Sequence, residues 1–277
     1  MNNIGFMQGR LCDQIDGLIQ AFPWDNWRNE FQIAPDLGFD LIEWTLDSDG
    51  LYENPLLTTS GQSDIKNLSN KFGVKVVSVT GDCFMQTPFW KIIDSEKRSK
   101  LVDELIAVVD ACSAIDVNKI VVPLVDNGRI VDESEEARLL TQMKKLSKYL
   151  RKKNVQIIFE TDFSPTKNKN FISKFPLDTF GINYDSGNSA ALGYSVSREF
   201  ELFSTYVKNV HIKDRKLNGE TVPLGEGNAD FTELFRCLKN LNYKGNLILQ
   251  TARASNGDHA EALVRYRDFV KACWLKL

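Results

Sequence analysis

The sequence predicts an α/β protein, a (β/α)₈ TIM barrel that occupies residues 1–277 as a single domain. Two observations carry this prediction. Eight short β-branched apolar runs alternate with longer stretches whose apolar residues recur at helical spacing. Eight such pairs in about 250 residues is the arithmetic of this barrel. The last four runs also each close on one polar residue: Glu160 in VQIIFE, Asp185 in FGINYD, His211 in VKNVH and Gln250 in GNLILQ. In a barrel, groups that do chemistry come from the C-terminal ends of the strands.

Taken in order, the expected strands are 4–8, 41–44, 74–80, 120–125, 155–160, 180–184, 207–212 and 247–250. They are almost continuously apolar, as parallel strands covered on both faces should be. Between them, Leu101, Leu105, Val108, Val109, Cys112 and Ile115 form one helical stripe. Leu139, Leu140, Met143, Leu146 and Leu150 form a second, and Phe231, Leu234, Phe235, Leu238 and Leu241 a third. Asp230 is placed to cap the third helix at its N-terminus. Gly38, Gly73 and Asn154 stand where helices should stop. An open doubly wound sheet would carry a GxGxxG turn after its first strand. The first run leads instead into GRLCDQIDG.

Composition excludes several classes. A net charge of -3 argues against a nucleic-acid-binding surface. No apolar stretch approaches the roughly 20 residues that span a bilayer, and the strand-like start MNNIGFMQGR does not read as a signal peptide. The five cysteines (Cys12, Cys83, Cys112, Cys237, Cys273) are odd in number and contain no CxxC pair. They read as reduced thiols of a cytoplasmic protein.

Glu160, Asp185, His211 and Gln250 sit at the ends of adjacent strands five to eight, so their side chains can converge. Two carboxylates, an imidazole and an amide oxygen suit one divalent ion of mixed O/N preference: Mn²⁺, Mg²⁺, Co²⁺ or Zn²⁺. An amide at position 250 leaves the set one negative charge short. It also removes a proton-transfer group, because an amide does not titrate near neutral pH.

On IIFETDF, GINYDSGN, NVHIKDR and PLGEGNADF, the chain resembles the xylose-isomerase-like TIM-barrel superfamily, in its sugar phosphate isomerase/epimerase branch. The likeness extends over essentially the whole chain. Its most specific part is the HIKD and GEGxxDF pair, 14 residues apart from His211 to Gly225. The resemblance implies one divalent metal ion held by Glu160, Asp185, His211 and, where the family has glutamate, Gln250. In the family's ketose 3-epimerases the first and last glutamates also transfer protons. This chain keeps the first, and has Asn188 where those enzymes often have histidine.

Around this core lie further candidates. Lys213 follows His211 by two and should point the same way, as an acid or an anion-binding group. Glu43 in LIEW, at the end of strand two, is a candidate for substrate hydroxyls or for the second proton transfer, which Lys213 or a water held by Gln250 could also perform. Asn188, Arg215, Arg253, Trp44 and Asp82 are the candidate substrate-binding residues. Arg253 offers a cation to an anionic group, or pairs with Asp258. Asp126 occupies a comparable strand-end place. His259 is taken as a surface residue. The glycines of GEGNADF are expected to let the backbone pass close to substrate. Trp24, Phe84, Phe89, Trp90 and Phe163 are mainly packing residues, with one or two free to wall a sugar.

The function expected is a metal-assisted isomerase or epimerase of a small sugar or sugar phosphate, working through an enediolate. One alternative is dehydration of a polyhydroxy ring, as the superfamily's inosose and dehydroshikimate dehydratases perform. Another is a degenerate, non-catalytic sugar-binding barrel. Abasic-site endonucleases share the fold but need a histidine-rich zinc cluster, and this chain has two histidines. The partners expected are a small molecule and, for assembly, a possible homodimer, with no nucleic acid and no membrane.

Overall fold

The computed structural model describes residues 2–277. Eight parallel strands close into a barrel: β1 (Ile4–Met7), β2 (Leu41–Leu46), β3 (Lys75–Gly81), β4 (Lys119–Leu124), β5 (Gln156–Thr161), β6 (Phe180–Asp185), β7 (Val207–Ile212) and β8 (Leu247–Leu249). Each pairs with its sequence neighbours, and β8 closes the ring on β1 through Ile4–Leu247 and Phe6–Leu249. Around them run α1 (Trp27–Ile33), α2 (Thr59–Phe72), α3 (Asp82–Gln86), α4 (Ser95–Ala114), α5 (Glu133–Lys153), α6 (Pro165–Ile172), α7 (Ser186–Ala191), α8 (Val196–Phe203), α9 (Phe231–Asn240) and α10 (His259–Leu275). Among the described residues no helix is long and apolar enough to cross a membrane.

The three expected helical stripes become α4, α5 and α9, each facing the barrel. On α9, Phe231, Leu234, Phe235 and Leu238 are buried. Asp230 caps that helix, its carboxylate accepting from the N–H of Glu233. Gly73 and Asn154 end α2 and α5 in the left-handed region, at φ 71° and 56°. Gly38 does not end a helix: α1 stops at Ile33, because Pro35 has no N–H to continue it. Gly38 instead takes a positive φ of 73° in the turn that follows.

The outer layer of the core is aromatic. Trp27, Trp44 and Phe22 pack edge to face or tilted, with centroids 5.3–5.5 Å apart between Trp44 and the other two. Phe159, Phe171, Phe175 and Phe180 make a second cluster. Inside the barrel the pattern inverts. Glu43, Ser78, Thr80, Asn183, Asn209 and His211 are all buried there. They form the polar floor on which the site stands.

Several buried acids lie outside that floor, Glu199 among them. Glu199 of α8 accepts hydrogen bonds from Tyr184 Oη (2.9 Å) and Ser189 Oγ (2.5 Å). Burial raises its carboxyl from 4.5 to about 7, although both hydroxyls favour the ionised form. A carboxyl raised on folding stabilises the fold below its ordinary value and loses that contribution as pH rises through about 7. Glu199→Gln is therefore expected to raise Tm at about pH 8 and to change it little at about pH 5. Equal effects in two thermal melts at those pH values would contradict this account.

Candidate active site

The site lies at the C-terminal end of β5–β8. In the β6–β7 ladder Asp185 is opposite His211, so the register brings the two together. Glu160 is the penultimate residue of β5, and Gln250 follows directly on β8. One ligand atom from each of Glu160, Asp185 and His211 lies within 4.8 Å of the others, and all three residues are buried. His211 Nδ1 is 3.2 Å from Glu160 Oε2 and 3.9 Å from Asp185 Oδ2.

What orients these groups is the polar floor. His211 Nε2 lies 2.6 Å from Glu43 Oε1. A carboxylate only accepts, so Nε2 carries the proton and Nδ1 faces the two site carboxylates. Asn209 Nδ2 donates to Glu43 at 2.8 Å, and the Ser78 and Thr80 hydroxyls complete that carboxylate's shell. Asn209 also donates to Asn183 Oδ1, which turns Asn183 Nδ2 toward Glu160 Oε2 at 2.7 Å. Asn188 Nδ2 donates to Glu160 Oε1, also at 2.7 Å. Asp185 doubles as the N-cap of α7: its Oδ1 takes the N–H of Asn188, leaving Oδ2 toward the site.

The electrostatics follow from burial and pairing. Burial opposes charge on His211, but Glu43 and Glu160 outweigh it and push the imidazole up to about 10. Burial likewise works against ionised Glu43 and Glu160, yet His211 holds both below the usual carboxylate range. Asp185 moves the other way, raised by burial and by Glu160 despite Lys213 and His211. The site thus gathers three carboxylates around one cationic ring. A divalent ion on Nδ1 would take the place of that ring's second proton. A histidine whose far nitrogen donates to a carboxylate is also the usual arrangement for a metal ligand. On donor chemistry, Glu160, Asp185 and His211 fit such an ion.

Gln250 reaches the mouth as expected. There its Oε1 accepts from Lys213 Nζ at 3.1 Å, while Lys213 also donates to Asp185 Oδ2 at 3.3 Å. A cavity of about 400 Å³ opens above, lined by Glu160, Lys213, Gln250, Asn188, Arg215, Asp82 and Asp126 among others. That size falls within the roughly 300–1,000 Å³ of small-molecule sites. Arg215 spans from the cavity wall to Asn188 Oδ1 (2.9 Å) and Gly219 O. Asp82 accepts from Gln20 at 2.6 Å; burial, then Asp47 and Glu160, raise its carboxyl to about 7.

Three expected site residues lie elsewhere. Glu43 is fully buried with both oxygens engaged beneath His211, so it cannot meet substrate. Trp44 points outward into the core and donates to Asn54 Oδ1. Neighbours on a strand face opposite ways, so LIEW sends Glu43 in and Trp44 out. Arg253 does not line the cavity and does not pair with Asp258. It donates to the carbonyls of Cys12 and Ile19, holding the β1–α1 loop. His259 begins α10, where its Nδ1 accepts from the N–H of Ala254.

The glycines of GEGNADF have a different purpose from the one expected. Their loop wraps the Asp214 carboxylate, which accepts from the N–H groups of Gly225, Gly227 and Ala229. A Cβ on Gly227 would lie 2.0 Å from Asp214 Oδ1. The cavity's apolar wall comes from Leu18, Ile19, Met85, Pro123 and Val125, and none of the expected aromatics lines it.

Arg10, Gln20 and the floor residues Ser78, Thr80, Asn183 and Asn209 were not foreseen from the sequence. Arg10 lines the cavity just past β1, buried, and donates to the carbonyls of Ile19 and Thr251. The strand-end rule applied to MQGR would have found it. The floor also left a signal. Asn183 and Asp185, like Asn209 and His211, are two apart on one strand and so share a face.

Comparison with known proteins agrees with this architecture. Residues 31–273 match the family model described as xylose isomerase-like TIM barrel. A curated relative, L-ribulose-5-phosphate 3-epimerase UlaE of Escherichia coli O1:K1, is 26% identical over 258 residues, covering 89% of each chain. Among solved structures, D-psicose 3-epimerase with D-tagatose from Clostridium cellulolyticum H10 superposes with a TM-score of 0.77 at 14% identity, covering 98% of this chain and 99% of that one. IOLI protein with a binding zinc atom superposes at 0.76 with 15% identity, covering 99% and 98%. At such identities these two structures speak for the fold alone.

Proposed function

The chain belongs to the xylose isomerase-like TIM-barrel family, and from that premise we propose that it is a sugar isomerase or epimerase. Its substrate is a small ketose or ketose phosphate, and the reaction moves a proton at the carbon beside the carbonyl. The observation that carries this reading is the convergence of Glu160, Asp185 and His211 beneath a cavity of sugar size that is walled by both polar and apolar side chains. The kinship to L-ribulose-5-phosphate 3-epimerases supports the substrate class.

Each residue's part follows from its position. Glu160 lines the cavity and is held ionised by His211 and Asn183, so it removes the proton. A divalent ion held by Glu160, Asp185 and His211 would polarise the carbonyl and the neighbouring hydroxyl and so acidify the C–H between them. Lys213 donates to the oxygen on which negative charge grows. Glu43 is sealed off and Gln250 does not titrate. Asp82, a cavity carboxyl near 7, is the group matched to return the proton. Asn188 and Arg215 orient the hydroxyls.

The absence of a second carboxylate at position 250 supports a runner-up, dehydration of a polyhydroxy ring. There Glu160 takes the proton and Asp82 or Lys213 protonates the departing hydroxyl. The experiment is incubation of the protein with Mg²⁺ or Zn²⁺ and a panel of ketoses, ketose phosphates and polyhydroxy ring ketones, read by carbon NMR and ultraviolet absorbance. A new epimer or aldose is expected. Ultraviolet absorbance of an enone from a polyhydroxy ring, without any epimer, would transfer support to the dehydratase. No conversion of any compound would sink both readings and leave a non-catalytic sugar-binding barrel.

A further inference from the structure

Both ends of the Gln250 amide are committed. Its Oε1 accepts from Lys213 Nζ at 3.1 Å, and its Nε2 donates to Gln20 Oε1 at 2.9 Å. Gln20 in turn donates from Nε2 to Asp82 Oδ2 at 2.6 Å. Three hydrogen bonds therefore run one way, from an ammonium through two amides to a carboxyl. The ends set the direction: Lys213 can only donate, and an ionised Asp82 can only accept. Gln20 belongs to the loop between β1 and α1. That loop is also held at Ile19 O by Arg10 and Arg253, and at the Phe22 N–H by Asp47.

We propose that Gln250 and Gln20 form an amide relay that straps the β1–α1 loop across the barrel mouth and fixes the Lys213 ammonium beside Asp185. Gln250 is a positioning residue in this chain. The relay accounts for an amide at this strand end. A carboxylate would accept from Lys213 equally well but could not donate to Gln20, and would set oxygen against oxygen. The strap also bears on access, because Leu18 and Ile19 of the same loop wall the cavity. A polyol that takes hydrogen bonds from Lys213 or gives them to Asp82 competes with the relay's two ends, so occupancy and loop position are coupled. The relay concerns the loop itself and holds whichever reaction the cavity supports.

The test is hydrogen exchange of the loop residues 11–22 in the full chain, without added metal or sugar. Gln250→Glu is expected to speed exchange there about tenfold, through one lost bond and one new repulsion. Adding Asp82→Asn should bring exchange back to within about twofold of the parent. The Gln20 amide then turns over, donating to the new carboxylate and accepting from the introduced amide. A purely structural loss at either position would instead add to the other. Unchanged exchange in Gln250→Glu, or a double variant as fast as the single one, would overturn the relay. Because no substrate is present, a failed conversion panel leaves this result intact.

Discussion

Glu160→Gln is expected to lower turnover by about 10²- to 10⁴-fold, the usual worth of a positioned proton-transfer group. The chemistry is lost outright, because an amide cannot take the proton. The geometry suffers as well. Both Glu160 oxygens accept from amide nitrogens, Asn183 on one side and Asn188 on the other. The introduced NH₂ must face one of those donors, so the side chain is no longer held in place. The fold should survive, since Glu160 borders the cavity and water can reach the group left unpaired. Steady-state rates on whichever ketose the panel identifies check this, beside a thermal melt. Turnover within about threefold of the parent would remove Glu160 from the chemistry.

The second large effect is expected one layer lower. Glu43 is fully buried and accepts from His211, Asn209, Ser78 and Thr80. Glu43→Ala leaves these donors facing an empty space and the imidazole without its partner. Breaking a buried ion pair in this way costs about 3–5 kcal/mol, which should appear as a marked fall in Tm. Glu43→Gln keeps the shape and most of the bonds but not the charge. His211 Nε2 then loses the carboxylate that fixes its proton. Affinity for Mn²⁺ or Co²⁺ is expected to fall about 10- to 100-fold, the usual effect of removing such a support. Titration calorimetry on the folded Glu43→Gln variant reads this directly. Unchanged affinity would mean that His211 is not held as a ligand by Glu43.

These two residues also mark what the sequence could and could not convey. Glu160, Asp185 and His211 were legible because each is a metal-ligating group closing a mostly apolar run, and the barrel's order makes those strand ends neighbours. Glu43 carried the same signal and misled. It is the polar residue of LIEW, next to its end, but β2 runs on through Trp44, Thr45 and Leu46, so Glu43 lies a layer below the mouth. Strand length, hidden by a polar Thr45, decided between substrate contact and support. Trp44 failed for the related reason that its neighbour faced inward.

The short helices after the strands were not legible either. The segment SGNSAA of α7 has no apolar stripe, and it is helical because Asp185 caps it and the surrounding chain buries it whole. Gln20 could not have been foreseen at all. It lies in a loop with no periodicity, 230 residues from Gln250, and only the closed barrel brings their amides together. The loop glycines show the same limit. GEGNADF reads as a turn, but whether its backbone wraps a substrate or Asp214 depends on where the preceding strand sets that carboxylate.

The account turns on Glu160 moving a proton on and off carbon, and isotope exchange observes that step without requiring net conversion. The measurement is proton NMR of ketoses and ketose phosphates incubated in D₂O with the diamagnetic ions Mg²⁺ or Zn²⁺ and either the parent protein or Glu160→Gln. The account predicts loss of the signal of the hydrogen beside the carbonyl for at least one compound with the parent, and retention of that signal with the variant. Exchange that proceeds equally in both proteins, or in neither across the whole panel, would contradict it.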